Sequence, residues 1–239
     1  MASPRWVIGQ HACQEAVDVH FSWVQEVVLL EGRQKEVNPF SKLLQRKKIQ
    51  PRFKGKKFFN DLGEGHQGMA VKLSQRPEFD DQSLSQSKSL VVFLDGITDP
   101  HNLGAVLRTA WLLGASGLFI PKNRTVDLTP TVAKVASGGA EHVPVEMCHF
   151  PSKLEWFKKN GFWVYGLSEK ADDPLPKVNF ADKSVLVVGA EDKGVRSSTA
   201  SFCDLFLGIP QVAKGPSYNA SVAFSICAYE WARQQLVPS

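Results

Sequence analysis

The feature that most constrains this chain is the rhythm of its last 150 or so residues. Short apolar runs at 90–94 (LVVFL), 118–120 (LFI), 162–167 (FWVYGL), 184–188 (SVLVV) and 205–208 (LFLG) alternate with helix-like stretches at 105–113, 130–137, 151–159 and 220–236. Strands that alternate with helices fold as an open, mostly parallel sheet with helices on both faces. Such α/β sheets bind their ligands beyond the C-terminal ends of the strands. Chemistry is therefore expected in the loops that follow the apolar runs.

The first third reads differently. A helix is expected over 10–19, a strand over 24–31 (VQEVVLLE), a helix over 38–48 with Leu43 and Leu44 on its apolar side, and a strand over 68–73 (GMAVKL). Gly63, Gly65 and Gly68 mark the loop before that last strand. The segment 74–89 (SQRPEFDDQSLSQSKS) is polar and reads as an exposed linker, although a surface loop inside one domain has the same composition. The organisation expected is a small N-terminal α/β domain over 1–74, a linker over 75–89 and a larger domain over 90–239.

Charge separates the two parts. The net charge is +4, and the excess lies wholly in residues 1–88, which hold fourteen Lys or Arg against ten Asp or Glu. A basic lobe on a neutral body fits a polyanionic partner. The four cysteines, Cys13, Cys148, Cys203 and Cys227, form no CxxC pair and have no histidine at ligand spacing. Neither a zinc site nor a disulfide framework is expected, and reduced thiols in a cytoplasmic protein are. The start, MASPRWVIGQ, lacks a long apolar core, so no secretory signal is read there. No apolar run reaches about eighteen residues, so no membrane span is expected.

Four constellations carry candidate chemistry. The first, Asp95 to Gly104 (DGITDPHNLG), runs from a strand into a helix with Asn102 as the natural cap. Arg108 follows about a turn and a half later, where a guanidinium clamps phosphate or steadies negative charge. A capped helix with a surface arginine is the plainer explanation. The second, Val187 to Val195 (VVGAEDKGV), is a strand and an acidic turn. In it Gly189 allows close approach of a ligand or a positive φ, and Glu191 accepts hydrogen bonds. An ordinary strand-to-helix turn explains it equally. The third, Ile209-Pro210-Gln211 with Ser217-Tyr218-Asn219-Ala220-Ser221, places three hydrogen-bonding side chains at a helix start, more than one cap needs. The fourth is a basic run without an acidic residue: Lys42, Arg46, Lys47, Lys48, Arg52, Lys54, Lys56 and Lys57, with Phe53, Phe58 and Phe59 in or beside it. Cations neutralise phosphates and aromatic faces stack on bases; a solvated helix face with core phenylalanines is the alternative. A GxGxxG dinucleotide fingerprint, a P-loop and a Ser/His/Asp arrangement are all missing.

The first three motifs, each after a strand and in this order, resemble the SpoU (TrmH) branch of the SPOUT RNA methyltransferases. The opening Val7-Ile8-Gly9-Gln10-His11-Ala12 and the segment from Asp95 to Arg108 look most like the enzymes of the RlmB type, which methylate a guanosine ribose in large-subunit ribosomal RNA. The resemblance implies a sheet with a C-terminal trefoil knot, a ribosomal-protein-like N-terminal RNA-binding domain and a homodimer. It implies transfer of a methyl group from S-adenosylmethionine to a ribose 2′-hydroxyl without a metal. Asn102, Arg108, Glu191, Ser217 and Asn219 match the catalytic motifs. Gly189, Ile209, Pro210, Tyr218 and Leu167 fall where the family cradles S-adenosylmethionine. Arg108 is the residue the family uses to help activate the hydroxyl. Arginine is a poor base, so an anchoring role for phosphate or oxyanion is its first reading here. Lys47, Lys48, Arg52, Lys54 and Lys56 are the expected RNA contacts.

The chain departs from the family in the third motif. Gln211, Ala213 and Tyr218 stand where Met, Gly and Leu are usual, and Ala220 where Val is. A transfer-RNA target, or an RNA-binding paralogue without catalysis that acts in ribosome assembly, are the competing readings.

Overall fold

The computed structural model of the chain describes residues 4–33, 38–80, 88–123, 125–171, 173–191, 193–213 and 217–236. The first sheet is built from β1 (Arg5–Ile8), β2 (Val24–Leu30), β3 (Arg52–Lys54) and β4 (Met69–Leu73), in the order β1-β4-β2-β3. β4 runs antiparallel to both β1 and β2, while β3 lies parallel to β2 as an edge. Helices α1 (Gln10–Val19), α2 (Pro39–Arg46) and α3 (Lys56–Leu62) accompany it. Asn38 closes a capping box on α2: its side chain accepts from the Ser41 amide, and the Ser41 hydroxyl accepts from the Asn38 amide, each at 2.9 Å.

The second sheet has seven strands, all paired in parallel. Its strands are β5 (Ser89–Asp95), β6 (Gly117–Pro121), β7 (Val145–Cys148), β8 (Trp163–Leu167), β9 (Asp173–Pro174), β10 (Lys183–Gly189) and β11 (Leu205–Gly208), ordered β7-β6-β5-β10-β8-β11-β9. The helices are α4 (Pro100–Leu112), α5 (Pro130–Ala136), α6 (Gly139–His142), α7 (Phe150–Lys159), α8 (Ser197–Ala200) and α9 (Ala220–Leu236). Every residue of β5 is buried, as a parallel strand covered on both faces requires. Its side chains alternate between two cores. Leu90, Val92 and Leu94 join α4 and α9, whereas Val91 and Phe93 join Phe150, Leu154 and Phe157 of α7.

Several expectations are corrected in detail. Strands β1, β3, β7 and β9 and helices α3, α6 and α8 were not anticipated. Helix α4 begins five residues earlier than its apolar pattern suggests. Its cap is Asp99, whose carboxylate accepts from the His101 amide at 2.9 Å, not Asn102, which lies inside the first turn. Residues 81–87 of the expected linker lie outside the described residues. Its first part is packed rather than free: Phe79 meets the rings of Phe119 and Phe157 edge-on, and Arg76 pairs with Asp127 at 3.5 Å.

The two sheets are joined by a polar clamp and an apolar seam. Ala133 of α5 belongs to the core of the first lobe, beside Val7, Ala12 and Ala16. Glu141 of α6, almost wholly buried, holds both Nη atoms of Arg5, one at 2.9 Å. Nε2 of His20 donates to the Glu141 carbonyl at 2.8 Å. His142 pairs with Glu15 at 2.9 Å and stacks on Trp111 of α4. Helix α6 lies so close to α4 that a Cβ on Gly139 would sit 2.5 Å from the Leu107 carbonyl oxygen.

Candidate active site

The loops that leave β5, β8, β10 and β11 end on one side of the second sheet. Three of them meet through a single carboxylate. Oε1 of Glu191, in the loop after β10, accepts from the side-chain amides of Asn102 at 3.1 Å and Asn219 at 2.5 Å. The Asn219 amide also donates to Oδ1 of Asn102 at 3.0 Å. Asn219 serves the chain twice, because its Oδ1 accepts from the amide and hydroxyl of Ser221 at 2.9 and 2.6 Å and so caps α9. The residue that caps α9 is thus also the one bonded to Glu191 and Asn102.

A second tie lies beneath. Asp95, the buried last residue of β5, accepts from the backbone amide of Arg196 at 3.0 Å and from its Nε at 2.6 Å. This pins the far end of the β10 loop to the start of the β5 loop. Gly189 makes the turn between them possible. It has no positive φ, and the group that approaches it is the chain itself: a Cβ there would lie 2.0 Å from the carbonyl carbon of Gly194.

Beside these ties opens a cavity of about 570 Å³, within the range of sites for small molecules and cofactors. The end of β8 and its loop supply Leu167, Ser168, Glu169 and Lys170; the β10 end supplies Val188, Gly189 and Glu191; the β11 end supplies Ile209, Pro210 and Gln211. Ser217 and Tyr218 close the ring. Leu167, Gly189, Glu191, Ile209, Pro210, Ser217 and Tyr218 are thus brought together, with Asn102 and Asn219 bonded to their rim. Arg108 is not. It is exposed on α4, does not line the cavity and makes no hydrogen bond or ion pair among the described residues.

The loop Ser168 to Lys170 and the Asp95–Arg196 pair were missed by the sequence reading. The first had a signal, since 162–167 reads as a strand and its C-terminal loop is where ligands bind. The second had none, because the partners are far apart in the chain.

The apolar floor (Leu167, Val188, Ile209) with carboxylates at the rim suits a nucleoside with a charged tail, so the residues present fit S-adenosylmethionine. Burial pushes the thiols of Cys148, Cys203 and Cys227 up to about 12 and raises that of Cys13 as well. None of them is poised as a thiolate. No group of three His, Cys, Asp or Glu among the described residues is disposed to hold a metal, and no helix among them is long and apolar enough to cross a membrane.

The expected RNA contacts divide. Lys48, Lys54 and Lys56 are exposed, while Arg52 pairs with Glu26 at 3.2 Å and half-buried Lys47 approaches Asp18 at 4.0 Å. The neighbouring aromatics divide as well, with Phe59 in the core and Phe53 and Phe58 half-buried. Phe59 is fully buried, Phe58 packs edge-on against Trp6 and Phe53 packs on the lobe core.

The SpoU rRNA Methylase family matches residues 89–229, and a domain described as RNA 2′-O ribose methyltransferase substrate binding matches residues 6–79. The chain belongs to the SpoU rRNA methylase family. Relatives of this SpoU chain match it almost from end to end. The 23S rRNA (guanosine-2′-O-)-methyltransferase RlmB of Pseudomonas aeruginosa is 34% identical over 238 residues, 96% of each chain. RlmB of Escherichia coli is 31% identical and covers 96% of this chain and 98% of its own. The SpoU methyltransferase AviRb of Streptomyces viridochromogenes, solved with the cofactor AdoMet, shares the fold with a TM-score of 0.83 at 22% identity, covering 99% of this chain and 92% of that one.

Proposed function

We propose that this SpoU-family methyltransferase transfers the methyl group of S-adenosylmethionine to the ribose 2′-oxygen of a guanosine in 23S ribosomal RNA, in the cytoplasm. The observation that carries the reading is the convergence of three separated loops on one cavity, tied by Asn102, Glu191 and Asn219. The RlmB names of full-length relatives support the guanosine and the RNA.

S-adenosylmethionine supplies an electrophilic sulfonium methyl when bound. The chain's own residues do the rest. Leu167, Val188 and Ile209, which line the cavity, would give the adenine an apolar bed, and Glu169 would offer an acceptor to sugar hydroxyls. Glu191 has one oxygen committed to the two asparagines. Oε2 makes no bond among the described residues and is the group we assign to receive the ribose proton. Fixed geometry between the acceptor oxygen and the methyl carbon supplies much of the rate. Tyr218 does not fill the cavity despite replacing a smaller residue, and this favours catalysis over a purely RNA-binding role.

A homodimer is part of the proposal. Leu112 of α4 and Val222 and Tyr229 of α9 are exposed apolar side chains, at 68%, 45% and 61%. The two helices are already joined by Thr109 and Ser225 at 3.1 Å. Arg108 shares the outer side of α4 with Leu112, so pairing through this face brings Arg108 to the subunit boundary. There it serves as an anchor for RNA phosphate or developing negative charge. The threaded C-terminal segment implied by the family resemblance belongs to the same proposal; α9 starts at the cavity and packs on α4 and β10, an arrangement compatible with it.

The test is incubation of the protein with labelled S-adenosylmethionine and unmodified ribosomal or transfer RNA, followed by mapping of ribose methyl groups. Methylation of one 23S guanosine is the expected result. Label confined to transfer RNA would move the substrate. Absence of transfer to either RNA from a folded, cofactor-binding protein would overturn the assignment.

A further inference from the structure

Among the described residues of the first lobe, the most exposed aromatic ring is Phe21. It opens a 3₁₀ turn, Phe21–Trp23, and is 47% exposed. Nζ of Lys47 lies 5.3 Å from its ring centroid. Arg46 and Lys47 both reach Asp18 at the end of α1, at 3.0 and 4.0 Å. Exposed Lys42 stands one turn before Arg46 on α2. Exposed Lys48 follows Lys47 with a φ of 55°, a left-handed conformation that a lysine rarely adopts. Asp18 thus pairs with two of these four cations, and Lys42 and Lys48 stand exposed beside them in the chain, which leaves the segment a positive excess.

We propose that Phe21, with Lys47 against its ring and Arg46 and Lys48 on either side of Lys47 in the chain, is a stacking platform for an unpaired base of the RNA substrate, with the cations holding the adjoining phosphates. The inference rests on the reading that RNA is the substrate, and it deepens that reading by naming an anchoring residue outside the cavity. A π-face beside positive charge is the combination that single-stranded RNA recognition uses. The small apolar area and dense charge fit RNA better than a protein partner, whose interface core is depleted in charge. The platform is also anchored. The His20 ring stacks on Trp23 at 3.9 Å, and its Nε2 donates to the Glu141 carbonyl on α6 of the catalytic body. A base on Phe21 is therefore held in register with the cavity.

The test measures binding of a labelled single-stranded RNA oligonucleotide, and of its abasic counterpart, to the full chain carrying Phe21→Ala, Phe21→Trp or Lys48→Ala. Phe21→Ala is expected to weaken binding about tenfold without changing the slope of log affinity against log salt, and Phe21→Trp to restore it. The abasic RNA should bind wild type and Phe21→Ala equally. Lys48→Ala should lower the salt slope by about one. Unchanged melting of Phe21→Ala excludes unfolding as the cause. Unaltered affinity in Phe21→Ala while Lys48→Ala is weakened would leave phosphate contacts only and remove the platform, with the RNA reading intact. The same unaltered affinity with changed self-association would assign Phe21 to a protein contact and equally overturn the proposal. If wild type binds no RNA, both readings fall together.

Discussion

At the scale of single residues, Glu191 joins two amides that would otherwise have to find water. Removing it by Glu191→Ala leaves Asn102 and Asn219 near solvent, so the expected loss of stability is only about 1 kcal/mol. Methyl transfer is expected to fall by about a hundredfold or more. Thermal melting and a transfer assay on the same sample separate the two effects, and a variant that melts lower yet transfers at the wild-type rate removes Glu191 from the chemistry. Gly189→Ala makes the contrasting prediction. The added methyl meets backbone at Gly194 rather than a movable side chain, so the turn must shift. A destabilisation of about 1–3 kcal/mol is expected, and titration calorimetry with S-adenosylmethionine should show weakened binding. The importance of this glycine was legible in the sequence, but its reason was not. A single letter does not say whether the close neighbour is a ligand or the chain's own next turn.

At the scale of elements, the clamp between α6 and β1 is the most sensitive joint. Arg5→Met leaves the buried Glu141 carboxylate without its guanidinium and is expected to cost about 3 kcal/mol, readable by denaturant unfolding of the full chain. The same joint gives a pH dependence. Burial holds His20 below the ordinary histidine value, although the Glu141 carbonyl and carboxylate oppose the shift, and burial moves exposed-edge His66 the same way. The unfolded chain therefore takes up protons that the folded one resists. Stability is full above about pH 6.5 and declines as pH falls from there through the depressed values. Melting temperatures across pH 8 to 5 should decrease on the acidic side, and a flat profile would contradict the burial of His20. The long elements were readable because their periodicity repeats: β5, β10 and α9 fall within a residue or so of their expected bounds. Strands of three or four residues, such as β1 and β3, are too short to show a period. The start of α4 was misplaced because Ala105 opens its apolar pattern. Pro100, a residue at home in a first helical turn, marks the true beginning.

At the scale of the whole molecule, the proposed dimer and the position of Arg108 make one joint prediction. If Arg108 serves the cavity of the neighbouring subunit, Arg108→Ala and Glu191→Ala proteins, each inactive alone, should recover a part of wild-type transfer when co-expressed as mixed dimers. Mixed dimers with no activity would place Arg108 in its own subunit's reaction, and an Arg108→Ala protein active alone would put it outside the chemistry altogether. The proposed subunit arrangement and the proposed threading of the C-terminal segment rest on the family resemblance, not on periodicity. Periodicity reports which face of an element is apolar, not which copy of the chain covers it.

The seam at Ala133 and the clamp on Glu141 leave the N-terminal lobe no free hinge against α5 and α6. Where a tethered lobe would search for its target like a hand on a rope, this one behaves as a caliper whose jaws are set when the protein folds. On the proposed function, the RNA substrate would then be selected by span. Inserting a nucleotide between the gripped base and the target guanosine should carry the ribose past the methyl donor and silence methylation, however tightly the RNA is held.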